Sequence, residues 1–132
     1  MILLIVGCGI DLVKIGRVEK IIKRWGDNFI FRIFTPLERE YCEKKKGNKF
    51  QSYAGKFAAK EALLKSLGLG LREANWKEIE IKNDELGQPI INTSGKLKEI
   101  TFGKDIDRYF LTISHTKEYA IAQVILESLL DK

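Results

Sequence analysis

The stretch from Gln51 to Leu67 limits the possible folds of this chain more than any other segment. It is rich in Ala, Leu, Lys and Glu, has no proline, and is followed by Gly68, a residue suited to the left-handed conformation that ends helices. Its small residues, Ala58, Ala59 and Ala62, predict a helix that something can approach closely. Phe57, Ala58, Ala62 and Leu64 or Leu67 can form the inner face. The segments around it read mainly as strands. Ile2 to Val6, within the apolar run that opens at Met1, reads as a buried strand. Glu78 to Lys82 alternates like a half-buried strand, and the turn residues Asn83 to Gly87 separate it from Pro89-Ile90-Ile91. Tyr109 to Ile113 and Tyr119 to Ile125 form a hairpin across Ser114 to Glu118. One central helix among irregularly ordered strands predicts an α+β domain with an antiparallel sheet packed with helices.

Three further helices are expected. Val13 to Trp25 places Ile15, Val18, Ile21, Ile22 and Trp25 at helical spacing, with Lys14, Arg17, Lys20 and Arg24 on the other face. Thr35-Pro36-Leu37-Glu38 is a helix start with a capping box and proline at the first position. A short helix runs from Ser94 to Phe102. No repeat, low-complexity tract or proline-rich linker divides the 132 residues, so residues 1–132 read as a single domain. The opening apolar run is too short to cross a bilayer and lacks the features of a secretory signal, which predicts a cytoplasmic protein without membrane partners. Cys8 and Cys42 read as reduced thiols, and one histidine with no paired Cys/His spacing argues against structural zinc.

A net charge of +5, concentrated at Lys14 to Arg24 and at Lys44, Lys45, Lys46 and Lys49, favours an anionic partner. The aromatics are not interleaved with the basic residues as an RNA-binding sheet requires. Six residues have the right chemistry for a site. Asp11, at the end of an apolar strand, reads either as a ligand or as the cap of the next helix. Glu61 and Lys65, four apart on the long helix, read either as an exposed ion pair or as an oxygen ligand with a cation beside it, and two oxygen ligands plus water suit magnesium on phosphates. Lys56 and Lys60 add positive charge to the same helix. His115 reads as an exposed turn residue, or as a phosphate donor or proton-transfer group. Gly68-Leu69-Gly70 fits neither of the familiar glycine-rich phosphate loops.

In order, Gly9-Ile10-Asp11-Leu12-Val13 with Arg17, Phe34-Thr35-Pro36-Leu37-Glu38, Lys56-Phe57-Ala58-Ala59-Lys60-Glu61-Ala62 with Lys65, and Ile113-Ser114-His115-Thr116 leading to Tyr119-Ala120 resemble the holo-acyl carrier protein synthase family of phosphopantetheinyl transferases. The resemblance covers nearly the whole chain. It implies transfer of the phosphopantetheine arm of coenzyme A to a serine of an acyl carrier protein, in support of fatty acid synthesis, with release of adenosine 3′,5′-bisphosphate. It implies Asp11 and Glu61 as magnesium ligands, Glu61 as base, and Lys65 beside the leaving phosphate. Lys56, Lys60, Gly68, His115 and Thr116 become coenzyme A contacts. Arg17, Lys20 and Arg24 become the docking face for the carrier protein. It also implies a homotrimer with sites at subunit junctions. Val13 stands where the larger, two-copy enzymes of the class carry an acidic residue, which favours the short type. Lys56 stands where the family often has arginine, and so loses bidentate geometry. Two rival readings are a basic nucleic-acid-binding module and a regulator that binds coenzyme A without consuming it.

Overall fold

A computed structural model describes residues 2–70 and 75–130; Met1, which opens the apolar run, lies outside them. The elements follow as β1 (Ile2–Lys14), α1 (Ile15–Trp25), α2 (Asp27–Ile33), α3 (Pro36–Glu43), α4 (Lys49–Ser66), a 3-10 turn (Trp76–Glu78), β2 (Ile79–Asn83), β3 (Pro89–Thr93), α5 (Gly95–Gly103), β4 (Arg108–His115) and β5 (Tyr119–Leu130). A three-stranded antiparallel sheet has the order β1-β5-β4, and β2 and β3 pair by themselves. The α+β fold expected from the sequence is the fold observed.

The long helix α4 lies across the three-stranded sheet and is buried on almost every side. Two glycines make this possible. A Cβ on Gly9 would collide with the Ala62 carbonyl, and one on Gly7 with the Ser66 carbonyl, so only glycine lets β1 run directly against the helix. At the other end of α4, Gly55 meets Ile113 of β4. Ala58, Ala59 and Ala62 are fully buried between these ends. They were expected to leave room for a ligand; they leave room for the sheet instead. Phe57 stands to one side, in an aromatic cluster with Phe29 and Trp76 at 6.4 and 5.2 Å between ring centroids.

Three local expectations change. The opening strand continues to Lys14, so Asp11 lies within a strand, opposite Ala122, and caps nothing; α1 starts at Ile15 rather than Val13. Ile2 to Val6 are exposed rather than buried, Ile5 at 70%. The reason is geometric: Gly7 already sits at the last residue of α4, so the residues of β1 before it run past the end of the helix. Trp25 leaves the buried stripe of α1 and is 56% exposed, with the Arg24 guanidinium 5.3 Å from its ring. The Thr35 capping box forms as expected, with Glu38 Oε1 accepting from the Thr35 N–H at 2.8 Å and Thr35 Oγ1 from the Glu38 N–H at 3.3 Å.

Candidate active site

The close packing of β1 on α4 brings Asp11 up to Glu61 and Lys65. Lys65 Nζ donates to Asp11 Oδ1 at 2.7 Å and to the Ile10 carbonyl at 3.3 Å. The bond to Asp11 holds the Lys65 amine above its usual range. Glu61 is half-buried, and burial raises its carboxyl above the usual carboxylate range. The negative charge of Asp11 pushes the same way, and Lys65 opposes both. Two neighbouring carboxylates, one of them bonded to Lys65 and the other raised by burial and by its neighbour's charge, form a site that a cation would relieve. Among the described residues there is no cluster of three or more His, Cys, Asp and Glu. A cation held by Asp11 and Glu61 would take its other ligands from water and substrate. That donor set suits magnesium, which keeps much of its hydration shell.

The remaining expected site residues lie elsewhere. His115 ends β4 and, with Tyr41, Lys56, Asn83, Gly87 and Ile113, lines a cavity of about 170 Å³. Thr116 shapes the adjoining turn, where its Oγ1 accepts from the Tyr119 N–H at 3.0 Å and its own N–H donates to the Tyr119 carbonyl at 2.8 Å. Gly68 (φ +70°) is exposed beyond the end of α4. At 3.6 residues per turn, Lys56 and Glu61 are about 140° apart around α4, and Lys56 and Lys65 about 180°. The carboxylates and the cavity therefore open on opposite sides of the helix, near β1 and β4 respectively.

Two expectations are corrected. Lys60 has no exposed surface: its ammonium donates to Glu38 Oε1 at 2.7 Å, the Ile33 carbonyl at 2.7 Å and the Trp76 carbonyl at 3.2 Å. All three protons are used inside the protein, so Lys60 does not contact a phosphate from solvent. Lys56 is only 3% exposed, and two of its three protons go to protein acceptors, the Ile81 carbonyl and Asn83 Oδ1. In both, burial lowers the amine below its usual range. Sequence reasoning also passed over Tyr41 as a cavity wall, which no local pattern marks. Asn83 was seen only as a turn residue. On α1, Arg17 and Lys20 are exposed and, with Lys14 and Gly16, line a shallow depression; Arg24 is exposed near the end of the same helix.

Residues 7–124 match the family model described as the 4′-phosphopantetheinyl transferase superfamily. The chain belongs to this family. A holo-[acyl-carrier-protein] synthase of Syntrophus aciditrophicus is 45% identical over 126 residues, covering 95% of this chain and 98% of that one. Among solved structures, a holo-ACP synthase from Plasmodium yoelii superposes with a TM-score of 0.85 at 33% identity, covering 98% of this chain and 100% of its own. The Helicobacter pylori holo-[acyl-carrier-protein] synthase in complex with coenzyme A superposes with a TM-score of 0.80 at 36% identity, covering 90% and 98%. The chain is a phosphopantetheinyl transferase. No helix among the described residues is long and apolar enough to cross a membrane.

Proposed function

We propose that this transferase moves phosphopantetheine from coenzyme A to a serine of an acyl carrier protein and so serves fatty acid synthesis in the cytoplasm. The observation that carries this reading is the Asp11–Glu61–Lys65 group formed where β1 crosses α4, in a chain of this family. Magnesium held by Asp11 and Glu61 would polarise the pyrophosphate and offset the charge that develops on it. Glu61, directly or through a water, takes the proton of the carrier serine. The serine oxygen then bonds to the β-phosphorus, and the bond from that phosphorus to the bridging oxygen breaks. Adenosine 3′,5′-bisphosphate leaves, its new terminal charge facing Lys65. His115 and Thr116 contact phosphate at the nucleotide end of coenzyme A, in the cavity beside β4, and Gly68 leaves the end of α4 open to the substrate.

Because the two half-sites open on opposite sides of α4, a site completed by a neighbouring subunit fits the geometry better than one formed by a single chain. The projecting strand Ile2 to Val6, together with Ile10, Leu12 and Phe110 on the side of the sheet away from α4, offers an apolar surface for such neighbours. We therefore read the assembly as a homotrimer. The direct test incubates the protein with apo-carrier protein, coenzyme A and magnesium and weighs the carrier. The expected result is a carrier heavier by one phosphopantetheine, from an enzyme that light scattering finds to contain three chains of 15.1 kDa. An unmodified carrier would refute the reaction, and a fully active monomer would refute the shared site.

The carrier is expected to dock on Arg17, Lys20 and Arg24, since acyl carrier proteins are acidic and Arg17 is the nearest of the three to Asp11 in sequence. Arg17→Glu should raise the KM for the carrier roughly tenfold or more, because like charges facing each other in an interface cost several kcal/mol. The KM for coenzyme A should barely change, and wild-type association should weaken as salt screens the charges. Steady-state kinetics with each substrate varied in turn decides it. An unchanged carrier KM removes α1 from the docking surface.

A further inference from the structure

Ile81 lies in the middle of β2, opposite Ile91, in a sheet of only two strands. Both of its backbone polar groups are taken by charged side chains. Its N–H donates to Glu38 Oε2 at 2.7 Å, and its carbonyl accepts from Lys56 Nζ at 2.8 Å. Glu38 and Lys56 thus stand where a third strand would present its own carbonyl and amide, and they close the edge of the hairpin. The Lys56 ammonium also donates to Asn83 Oδ1 at 2.6 Å and lies 4.4 Å from the centre of the Tyr41 ring. Asn83 continues the chain of contacts: its Nδ2 donates to the Gly87 carbonyl at 3.1 Å, across the turn that joins β2 to β3. Tyr41, Lys56, Asn83 and Gly87 are all walls of the cavity that ends at His115.

We propose that Lys56 is a positioning residue for this cavity: it holds the β2–β3 hairpin and the Asn83–Gly87 turn against α4, and it is not the group that binds a substrate phosphate. The inference rests on the reading that coenzyme A binds here. The amine has two short hydrogen bonds and an aromatic face around it, and almost no exposed surface, so a phosphate reaching it would have to displace the bonds that shape the wall. Two of the three ammonium protons go to protein acceptors and the Tyr41 ring lies beside the amine, whereas a guanidinium has five donors to share between such partners and a phosphate.

The test uses Lys56→Met and Asn83→Ala, with coenzyme A and 3′-dephospho-coenzyme A as alternative donors, and amide hydrogen exchange on the ligand-free protein. Lys56→Met should raise KM for both donors by the same factor, roughly ten- to hundredfold, the scale of losing charged hydrogen bonds. The ratio of the two KM values should stay within about twofold of wild type, and kcat should fall less than KM rises. Amides of β2 and β3 should exchange faster by a similar factor. Asn83→Ala should show the same pattern more weakly, and it serves in place of Lys56→Met should that variant not fold. A KM rise confined to coenzyme A, with hairpin protection unchanged, overturns the proposal and makes Lys56 a phosphate ligand. If the wild-type protein neither binds nor consumes coenzyme A, the functional reading falls, while hydrogen exchange still decides whether Lys56 holds the hairpin.

Discussion

Asp11→Ala and Glu61→Ala are each expected to lower transfer by about a hundred- to ten-thousand-fold, the range for removing a positioned acid–base group, with the fold intact. The stability side follows from the surroundings. Asp11 is paired with Lys65, whose side chain is 53% exposed, so breaking that pair frees the lysine into water at a cost within the ~1 kcal/mol typical of exposed pairs. Glu61→Gln separates the two effects more sharply. Burial and Asp11 raise the Glu61 carboxyl above its ordinary 4.5, so the folded protein holds that proton more tightly than the unfolded chain. The sign follows directly: ionising Glu61 costs stability once pH rises above the ordinary value, and the cost is complete above the raised one. The neutral amide carries no such cost. Glu61→Gln should therefore be at least as stable as wild type near pH 7 while losing nearly all activity, and the difference in Tm should shrink as pH falls toward 4.5. Thermal melts across pH, beside the transfer assay, check both parts. Wild-type rates in either Ala variant would remove that residue from the site.

What the sequence showed depended on how local each signal was. The Thr35–Glu38 capping box spans four consecutive residues, and both of its hydrogen bonds are present. Gly68 ends α4 in the left-handed region, and the hairpin of β4 and β5 pairs across the turn at Thr116. Asp11, Glu61 and Lys65 were legible only as members of ordered motifs; what joins them is the contact of Gly7 and Gly9 with α4, which pairs residues more than fifty positions apart. Burial was the hidden quantity. A lysine on an alanine-rich helix reads as exposed, and because α4 is covered on nearly every side its periodicity offered no stripe to place Lys56 and Lys60 inside. The converse error occurred in β1, where an apolar run read as buried yet stands exposed beyond the end of α4. Cys42 shows the same limit: its thiol is pushed up to about 12 by burial, against the opposing charge of Lys56, which makes it unreactive, whereas Cys8 is exposed on the sheet.

Glu38→Leu should be the most destabilising substitution considered for this chain, at about 3–5 kcal/mol, the cost of breaking a buried ion pair on one side. Glu38 and Lys60 are both without exposed surface. The carboxylate accepts from the Thr35 N–H, the Ile81 N–H and Lys60, and the ammonium donates to Glu38 and to the carbonyls of Ile33 and Trp76. The network thus joins the end of α2, the start of α3, the middle of α4, the 3-10 turn and β2, and the next residue along α4 is Glu61. Removing Glu38 leaves a buried cation without its counter-charge and two backbone amides without acceptors. Removing Lys60 is less severe, because the carboxylate keeps two amide donors. Lys60→Met should therefore cost less than Glu38→Leu, and the double variant less than the sum of the two, since it removes both buried charges. The pH dependence adds a second check. Burial lowers the Lys60 amine and Glu38 raises it back, so in Glu38→Leu the folded amine releases its proton at lower pH than in wild type. A folded state that binds fewer protons than the unfolded one gains stability as pH rises, so the deficit of Glu38→Leu should narrow on the alkaline side. Urea unfolding of the two single variants and the double variant, at neutral and alkaline pH, measures all of this. Strict additivity, or equal losses in the two single variants, would mean that the pair is not the coupled centre its hydrogen bonds describe.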